Sequence, residues 1–268
     1  MEKKDPFRVE REGHIAWLIL DRPEKRNSMG LNFYDELGKH FKAFDEDPDV
    51  RVVVMRAEGK SFTSGTDLSE LATFYGQKNA GQREDLRLTI RNAQEGMDWV
   101  ERCRKPVIAA VHGHCLGGGV DLLSACDIRI ASRDAVFSIR EVRVAFIADV
   151  GTLQRLPHII GHGWFRDLAL TGRDFGAEEA LKMGFITGIY DDREALVAGA
   201  KKLAEQIASY SPLAVQGTKD VFLYSRDKGI HAGLEYTAQK NAAVVPSEDM
   251  IEAAMAFMEK RAPVYKGK

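Results

Sequence analysis

PVIAAVHGHCLGGGVDLLSACDIRI, Pro106–Ile130, carries the pattern around which the rest of the chain arranges itself. Its apolar run Val107–Val111 reads as a buried strand, Gly117, Gly118 and Gly119 follow, and Val120–Ala125 is compatible with a helix. Successive glycines let the backbone turn tightly and bring amide N–H groups close to a ligand at a helix N-terminus. Such amides can hold a developing oxyanion. Three acids, Asp121, Glu141 and Asp149, stand in or just beyond this stretch, each with an apolar residue on at least one side. Desolvation there would raise a carboxyl pKa toward the range useful for proton transfer.

Upstream, Phe7–Glu10 and Ile15–Leu20 flank a polar turn with Gly13 and predict a hairpin closed by Asp21 and Pro23. Leu31, Tyr34, Leu37, Phe41 and Phe44 recur at three and four residues, the spacing of an amphipathic helix. Val50–Met55 reads as a strand, Glu58–Thr66 as a loop, with helical patterning resuming near Leu68 and again over Leu86–Val100. Downstream come two short strands, Ile128–Ile130 and Ala135–Ile139, and then mostly helix: Gly151–Arg155, Trp164–Leu170, Ala177–Met183, Arg193–Ala208, Leu213–Tyr224, about Ala232–Val245 and Glu248–Glu259. Pro212 starts one of these, and Ser247 is the expected N-cap of the last. Strands alternating with helices predict an α/β core over residues 1–200, with a helical region over 201–268. Leu234, Ala238, Ala242 and Val245 on one helix, and Ile251, Ala254, Met255 and Met258 on the next, form apolar stripes that need a partner. Either their own core or a neighbouring subunit would serve.

The 268 residues carry 38 Lys and Arg against 40 Asp and Glu, a formal net charge of −2. That gives no broad basic field for nucleic acid. Cys103, Cys115 and Cys126 lack CxxC spacing, and their odd number favours reduced thiols and a reducing compartment. The N-terminal MEKKDPFRVE is charged with no apolar h-region, and no apolar run approaches the roughly 18 residues of a membrane span. A cytoplasmic protein without membrane association is expected. His112 and His114 lack a third ligand at metal-site spacing, so no metal is expected. The glycine triplet contains no GxGxxG, which disfavours a dinucleotide fold.

The chain resembles the crotonase (enoyl-CoA hydratase/isomerase) superfamily along nearly its whole length, through LILDRPEKRNSM (Leu18–Met29), SFTSGTDL (Ser61–Leu68) and the segment quoted first. Within it, the Asp of GGGVDL, a Glu 20 residues on and an Asp eight further on are similar to the Δ3,5-Δ2,4-dienoyl-CoA isomerases. The resemblance implies a spiral of ββα turns forming two roughly perpendicular sheets, C-terminal helices that trimerise, and a hexamer of two trimers. It implies double-bond migration in an acyl-CoA thioester, from 3,5-dienoyl to 2,4-dienoyl, in unsaturated fatty-acid β-oxidation. Coenzyme A is then part of the substrate, and no cofactor is expected. It places oxyanion N–H donors at Ser64 and Gly118, assigns Asp149 to deprotonation at C2 and Glu141 to protonation at C6, and leaves Asp121 as their electrostatic or hydrogen-bonding neighbour. Lys25 and Arg26 are placed near the CoA phosphates, with Thr63, Gly65, Thr66 and Asp67 around adenine and pantetheine. The basic C-terminal Lys260, Arg261, Lys266 and Lys268 are candidates for the 3′-phosphate of an adjacent subunit's ligand. Arg143 and Phe146 are candidates for shaping acyl specificity.

Structural roles compete with each assignment. Asp121 suits a first-turn position on a helix, Glu141 between Arg140 and Arg143 suits a surface ion pair, and Asp149 suits a cap on the helix that follows. A hydratase of the same fold normally uses two glutamates, and Asp121 is a methylene shorter than the first. A non-catalytic RNA-binding homologue would need a basic face that the net charge does not suggest.

Overall fold

Phe7–Glu12 (β1) and Ile15–Leu20 (β2) form the expected hairpin, with Phe7 opposite Leu20. The structure, a computed structural model, describes residues 5–71 and 79–268. The first four residues of the charged N-terminal stretch lie outside the described residues, as does any continuation of the helix near Leu68 past residue 71. Every residue of β2 is buried: Ala16, Leu18 and Leu20 enter one core and Ile15, Trp17 and Ile19 another. A wholly apolar strand is what a covered, mostly parallel sheet requires.

A 3-10 turn at Pro23–Lys25 leads to Leu31–Glu46 (α1), whose Phe33, Tyr34, Leu37, Phe41 and Phe44 are the buried stripe read from the sequence. Val52–Ala57 (β3) begins two residues later than predicted, because the N–H of Val50 donates to Asp47 and still belongs to the turn. Leu68–Leu71 (α2) and Ala80–Arg102 (α3) follow, the latter capped by the Asn79 side chain accepting from the N–H of Gln82 at 2.9 Å. Next come Val107–Val111 (β4), His114–Leu116 (β5), Gly118–Ala125 (α4), Ile128–Ser132 (β6), Val136–Ser138 (β7) and a 3-10 turn at Glu141–Val144. Thr152–Thr171 (α5) joins two helices predicted separately, across a break at Gly161 where φ is 73°. Asp174–Gly176 (β8), Ala177–Lys182 (α6), Ile189–Tyr190 (β9), Arg193–Ala208 (α7), Pro212–Lys228 (α8), Ile230–Val244 (α9) and Glu248–Glu259 (α10) complete the order.

Six strands form one sheet in the order β1-β2-β3-β4-β6-β9, parallel except for the β1–β2 hairpin. A second sheet has the order β5-β7-β8. Strand pairs β4–β5 and β6–β7 each place one strand in each sheet before the chain passes to a helix, α4 or α5, which is the expected ββα turn. Leu196, Ala200, Ala204 and Ala208, four residues apart, lay α7 against the Ile15, Trp17, Ile19 face. Residue 200 thus lies inside a core helix, and the helical region outside the core begins at α8.

Helices α1 and α3 cover the opposite core and approach closely. A Cβ at Gly96 would stand 2.2 Å from the carbonyl oxygen of Tyr34, so a larger residue there would displace α1. Helix α8 is fixed to the sheet by a buried ion pair. Lys219 donates to Asp127 at 2.7 Å and to the Lys105 carbonyl at 3.3 Å, and Asp127 also accepts from the N–H of Val107 at 2.8 Å. Helices α9 and α10 leave their apolar residues outside: Ile230 is 78% exposed, Phe257 85% and Met258 73%. Ser247 caps α10 as predicted, its hydroxyl accepting from the N–H of Met250.

Candidate active site

The glycine triplet divides its work. Gly117 has φ 52°, in the region where a side chain is strained, and turns the chain into α4. At Gly119 a Cβ would stand 2.4 Å from Thr63 Cγ2 and 2.8 Å from Cys115 Sγ, so glycine is required for packing. Gly118 is buried, with Thr66 Oγ1 at 3.4 Å and Tyr34 Oη and Met29 Sδ at 3.5 Å from where a Cβ would lie. As the first residue of α4, its N–H has no intrahelical acceptor.

Around Gly118 lies a cavity of about 220 Å³ lined by Tyr34, Thr66, Asp121, Glu141, Phe146 and Asp149, among others. The three acids separated in sequence thus meet at one place. Asp121 is 1% exposed on α4; its Oδ1 accepts from the N–H of Thr152 at 2.6 Å, and its Oδ2 has no hydrogen-bond partner among the described residues. Burial lifts its pKa to about 6, opposed by the Thr152 hydrogen bonds and by Arg155, and assisted by Asp149. Glu141 begins the 3-10 turn, and its Oε1 lies 3.2 Å from where a Cβ on Gly117 would be. Its Oε2 is buried without a partner among the described residues. Burial, then repulsion from Asp121, and lastly from Asp149, raise Glu141 to about 7. Asp149 is raised by burial alone. Buried carboxyl oxygens without partners are costly, and their concentration in one cavity marks a functional site.

The competing structural roles divide accordingly. Arg140 and Arg143 both pair with Asp174, at 2.8 and 3.2 Å, so neither neutralises Glu141. Asp149 does not cap α5, whose N-cap is Gly151; the acid that holds its first turn is Asp121, through Thr152. Behind Thr152, Arg155 is 8% exposed and pairs with Asp98 at 2.5 Å and Glu101 at 3.2 Å. The segment between Glu141 and Asp149 is tied at both ends. The N–H of Phe146 donates to the Glu141 carbonyl at 2.9 Å, and Gln94 donates to the Asp149 carbonyl at 2.6 Å. Between these ties Val142, Val144, Phe146 and Ile147 are exposed. Phe146 lines the cavity, whereas the Arg143 side chain turns to Asp174.

Several sequence assignments need correction. Ser64 is not a free N–H donor, since its N–H already donates to the Arg26 carbonyl at 3.0 Å. Two residues on, Thr66 makes a parallel bridge with Met29 in which only its neighbours take part: Met29 donates to the Gly65 carbonyl and Asp67 donates to Met29. That pattern turns the N–H of Thr66 away from Met29. Among the described residues nothing accepts from the N–H of Thr66 or of Gly118. Thr63 is fully buried, donating to the Asn27 carbonyl and accepting from the N–H of Gly65. The Asp67 carboxylate accepts from Ser69 at the start of α2, which holds its pKa low. The side chains of Thr63 and Asp67 are therefore engaged inside the protein, while Gly65 and Thr66 line the cavity.

Adjoining the acid cavity, and sharing Ser64, Leu116 and Arg140 with it, is a depression of about 380 Å³ lined also by Arg26, Lys60, Ser61 and His114. Lys25 is exposed and lines neither. At the C-terminus, Arg261 is taken up by Glu252 and Glu259 of its own chain. His112 Nε2 donates to the Gly59 carbonyl, 2.9 Å away. Sequence reading missed Tyr34 as a site residue, since its helical spacing placed it with the core, and Lys60, which has no motif around it.

A family profile described as Enoyl-CoA hydratase/isomerase matches residues 10–268. The peroxisomal Delta(3,5)-Delta(2,4)-dienoyl-CoA isomerase of Arabidopsis thaliana is 44% identical over 264 residues, 97% of this chain and 95% of its own length. The mitochondrial protein of the same name from Homo sapiens is 43% identical over 253 residues, covering 92% of this chain and 77% of that one. Among solved structures, an enoyl-CoA hydratase from Bacillus anthracis superimposes with a TM-score of 0.91 at 34% identity, covering 98% of this chain and 100% of that one. With a matching profile over almost all of its length, relatives this similar and the same fold, the chain belongs to the enoyl-CoA hydratase/isomerase family.

Proposed function

We propose that the protein is a Δ3,5-Δ2,4-dienoyl-CoA isomerase. The observation that carries this reading is the convergence of Glu141 and Asp149, with Asp121 behind them, on one cavity beside the unengaged N–H groups of Thr66 and Gly118. Moving two conjugated double bonds by one position requires a proton to leave C2 and another to arrive at C6. A dienolate lies between. Asp149, raised by burial alone, is the base for C2. Glu141, raised by both burial and its two acidic neighbours, holds a proton near neutral pH and delivers it to C6. The N–H groups of Thr66 and Gly118 receive the charge that develops on the thioester oxygen, a contribution of about 3 kcal/mol for each such donor.

The basic depression beside the cavity supports a thioester of coenzyme A, with Arg26, Lys60 and His114 set for its phosphates. No cofactor is proposed, because coenzyme A enters with the substrate. The exposed apolar residues of α9 and α10, and a groove of about 630 Å³ between α8, α9 and α10, support assembly as trimers paired into a hexamer. No helix among the described residues is long and apolar enough to cross a membrane. The proposed location is the cytoplasm, supported by Cys103, Cys115 and Cys126 standing as buried free thiols.

The protein should be incubated separately with a 3,5-dienoyl-CoA and with a 2-enoyl-CoA. Appearance of the 2,4-dienoyl chromophore from the first is expected. Water addition to the second with no turnover of the first would make the protein a hydratase, and the isomerase reading would fall.

A further inference from the structure

The phenol of Tyr34 stands at the same face of Gly118 as the hydroxyl of Thr66. Both oxygens lie within 3.5 Å of the point where a Cβ on Gly118 would sit, and both residues line the acid cavity. Tyr34 is 6% exposed, its ring held edge-on against Phe33 at 5.7 Å, and its backbone fixed by the close approach of Gly96. Its position is therefore set by packing, not by a flexible side chain. At this shared face the Thr66 hydroxyl acts on the phenol as its hydrogen-bonding neighbour, favouring negative charge on the Tyr34 oxygen. A hydrogen bond between two hydroxyls uses one of their two protons and leaves the other to donate elsewhere.

We propose that this remaining hydroxyl proton is a third hydrogen-bond donor to the thioester oxygen, presented by Tyr34 with Thr66 as its partner, beside the two backbone N–H groups. The proposal rests on the acyl-thioester reading of the cavity. It adds to that reading a side-chain donor that a glycine-based site does not need for folding. Burial and the charges of Asp121, Asp149 and Glu141 keep the phenol protonated far above neutral pH, so it enters the reaction as a donor and not as a base. As negative charge gathers on the oxygen, a donor already in place strengthens its bond without rearrangement.

Tyr34→Phe removes the oxygen and keeps the ring. The expected result is a kcat about 10- to 100-fold lower with KM changed less than about threefold, since the missing bond matters most in the transition state. A second readout reports on the bond itself. Infrared difference spectra of a bound 2,4-dienoyl-CoA, carbon-13 labelled at the thioester carbonyl, should show a smaller shift of the carbonyl stretch to low frequency in Tyr34→Phe than in the parent protein. A merely structural role would not change that shift while the thermal melting curve stays in place. Should Tyr34→Phe fail to fold, Thr66→Val removes the partner hydroxyl and keeps the backbone N–H, and the same loss of carbonyl shift is expected. Parent-like kcat with an undiminished carbonyl shift in either folded variant would overturn the proposal. If the parent protein binds the dienoyl-CoA with a carbonyl shift that depends on Tyr34 but turns over no 3,5-dienoyl-CoA, the donor stands and the isomerase reading fails.

Discussion

In the proposed reaction Glu141 and Asp149 carry opposite duties because their surroundings differ. With Glu141 at about 7 and acting in its protonated form, kcat should fall as pH rises through that value. Glu141→Gln should lose this alkaline limb along with most of the isomerisation, while exchange of the C2 hydrogen in deuterated buffer persists in part. Asp149→Asn should lose both isomerisation and exchange by at least ~10²–10⁴-fold, with CoA-ester binding kept. Exchange lost only in Glu141→Gln would reverse the two roles. Stability should move the other way. A carboxyl whose pKa is higher in the folded than in the unfolded chain binds more protons when folded, so stability is lost as pH rises between 4.5 and about 7 for Glu141. Glu141→Gln should therefore raise the unfolding free energy at pH 8 by about 1–3 kcal/mol and leave it unchanged at pH 4, measured by urea denaturation. At this scale the acids were legible in the sequence through their spacing. Which N–H groups are free was not, because it depends on a carbonyl of Arg26 that folds back from 38 residues upstream of Ser64 to occupy one of them. That separation is closed by contacts the sequence does not display, among them the Asn27 side-chain amide donating to the carbonyls of Glu58 and Ser61 and Met29 donating to the Gly65 carbonyl.

Elements were read accurately where their apolar pattern is either unbroken, as in β2 and β4, or periodic on one face. Helix α1 matched its stripe, and α7 its bounds, because period 3.6 is visible when the other face is polar. The short strands β5, β8 and β9 escaped notice, being two or three residues long and defined by their neighbours in the sheets. Lys219 also escaped notice; a lysine on an amphipathic helix reads as solvated, yet this one is 3% exposed against Asp127. Burial raises Asp127 and Lys219 opposes that rise, so the pair is a unit. Lys219→Met should leave Asp127 buried without its cation and destabilise the protein by about 3 kcal/mol, whereas a double change with Asp127→Asn should recover part of the loss. Urea denaturation of the two variants checks this, and equal loss in both would separate Asp127 from the effect.

For the molecule as a whole, the apolar residues left outside on α9 and α10 support association between chains, and the proposed assembly is a hexamer. Light scattering should give a mass near six chains, and Phe257→Glu should lower it while leaving circular dichroism unchanged. A monomer at micromolar concentration for the parent chain would remove the case for those faces as contacts. The α/β class was legible because strands alternate with helices along the chain, while the spiral of ββα turns was implied by the family resemblance; errors of two residues at a strand end altered neither. The link between Glu141 and Asp149 has a different significance. Both ends are pinned, by the Phe146 N–H on the Glu141 carbonyl and by Gln94 on the Asp149 carbonyl, while Val142 and Ile147 stand exposed and Val144 and Phe146 also line the cavity. The two carboxyls and the apolar side chains therefore sit on one short loop without sharing atoms. Under the proposed reaction, substitutions at Val144 or Phe146, which line the cavity, should alter kcat/KM across acyl tails of different length while the two carboxyls keep their places.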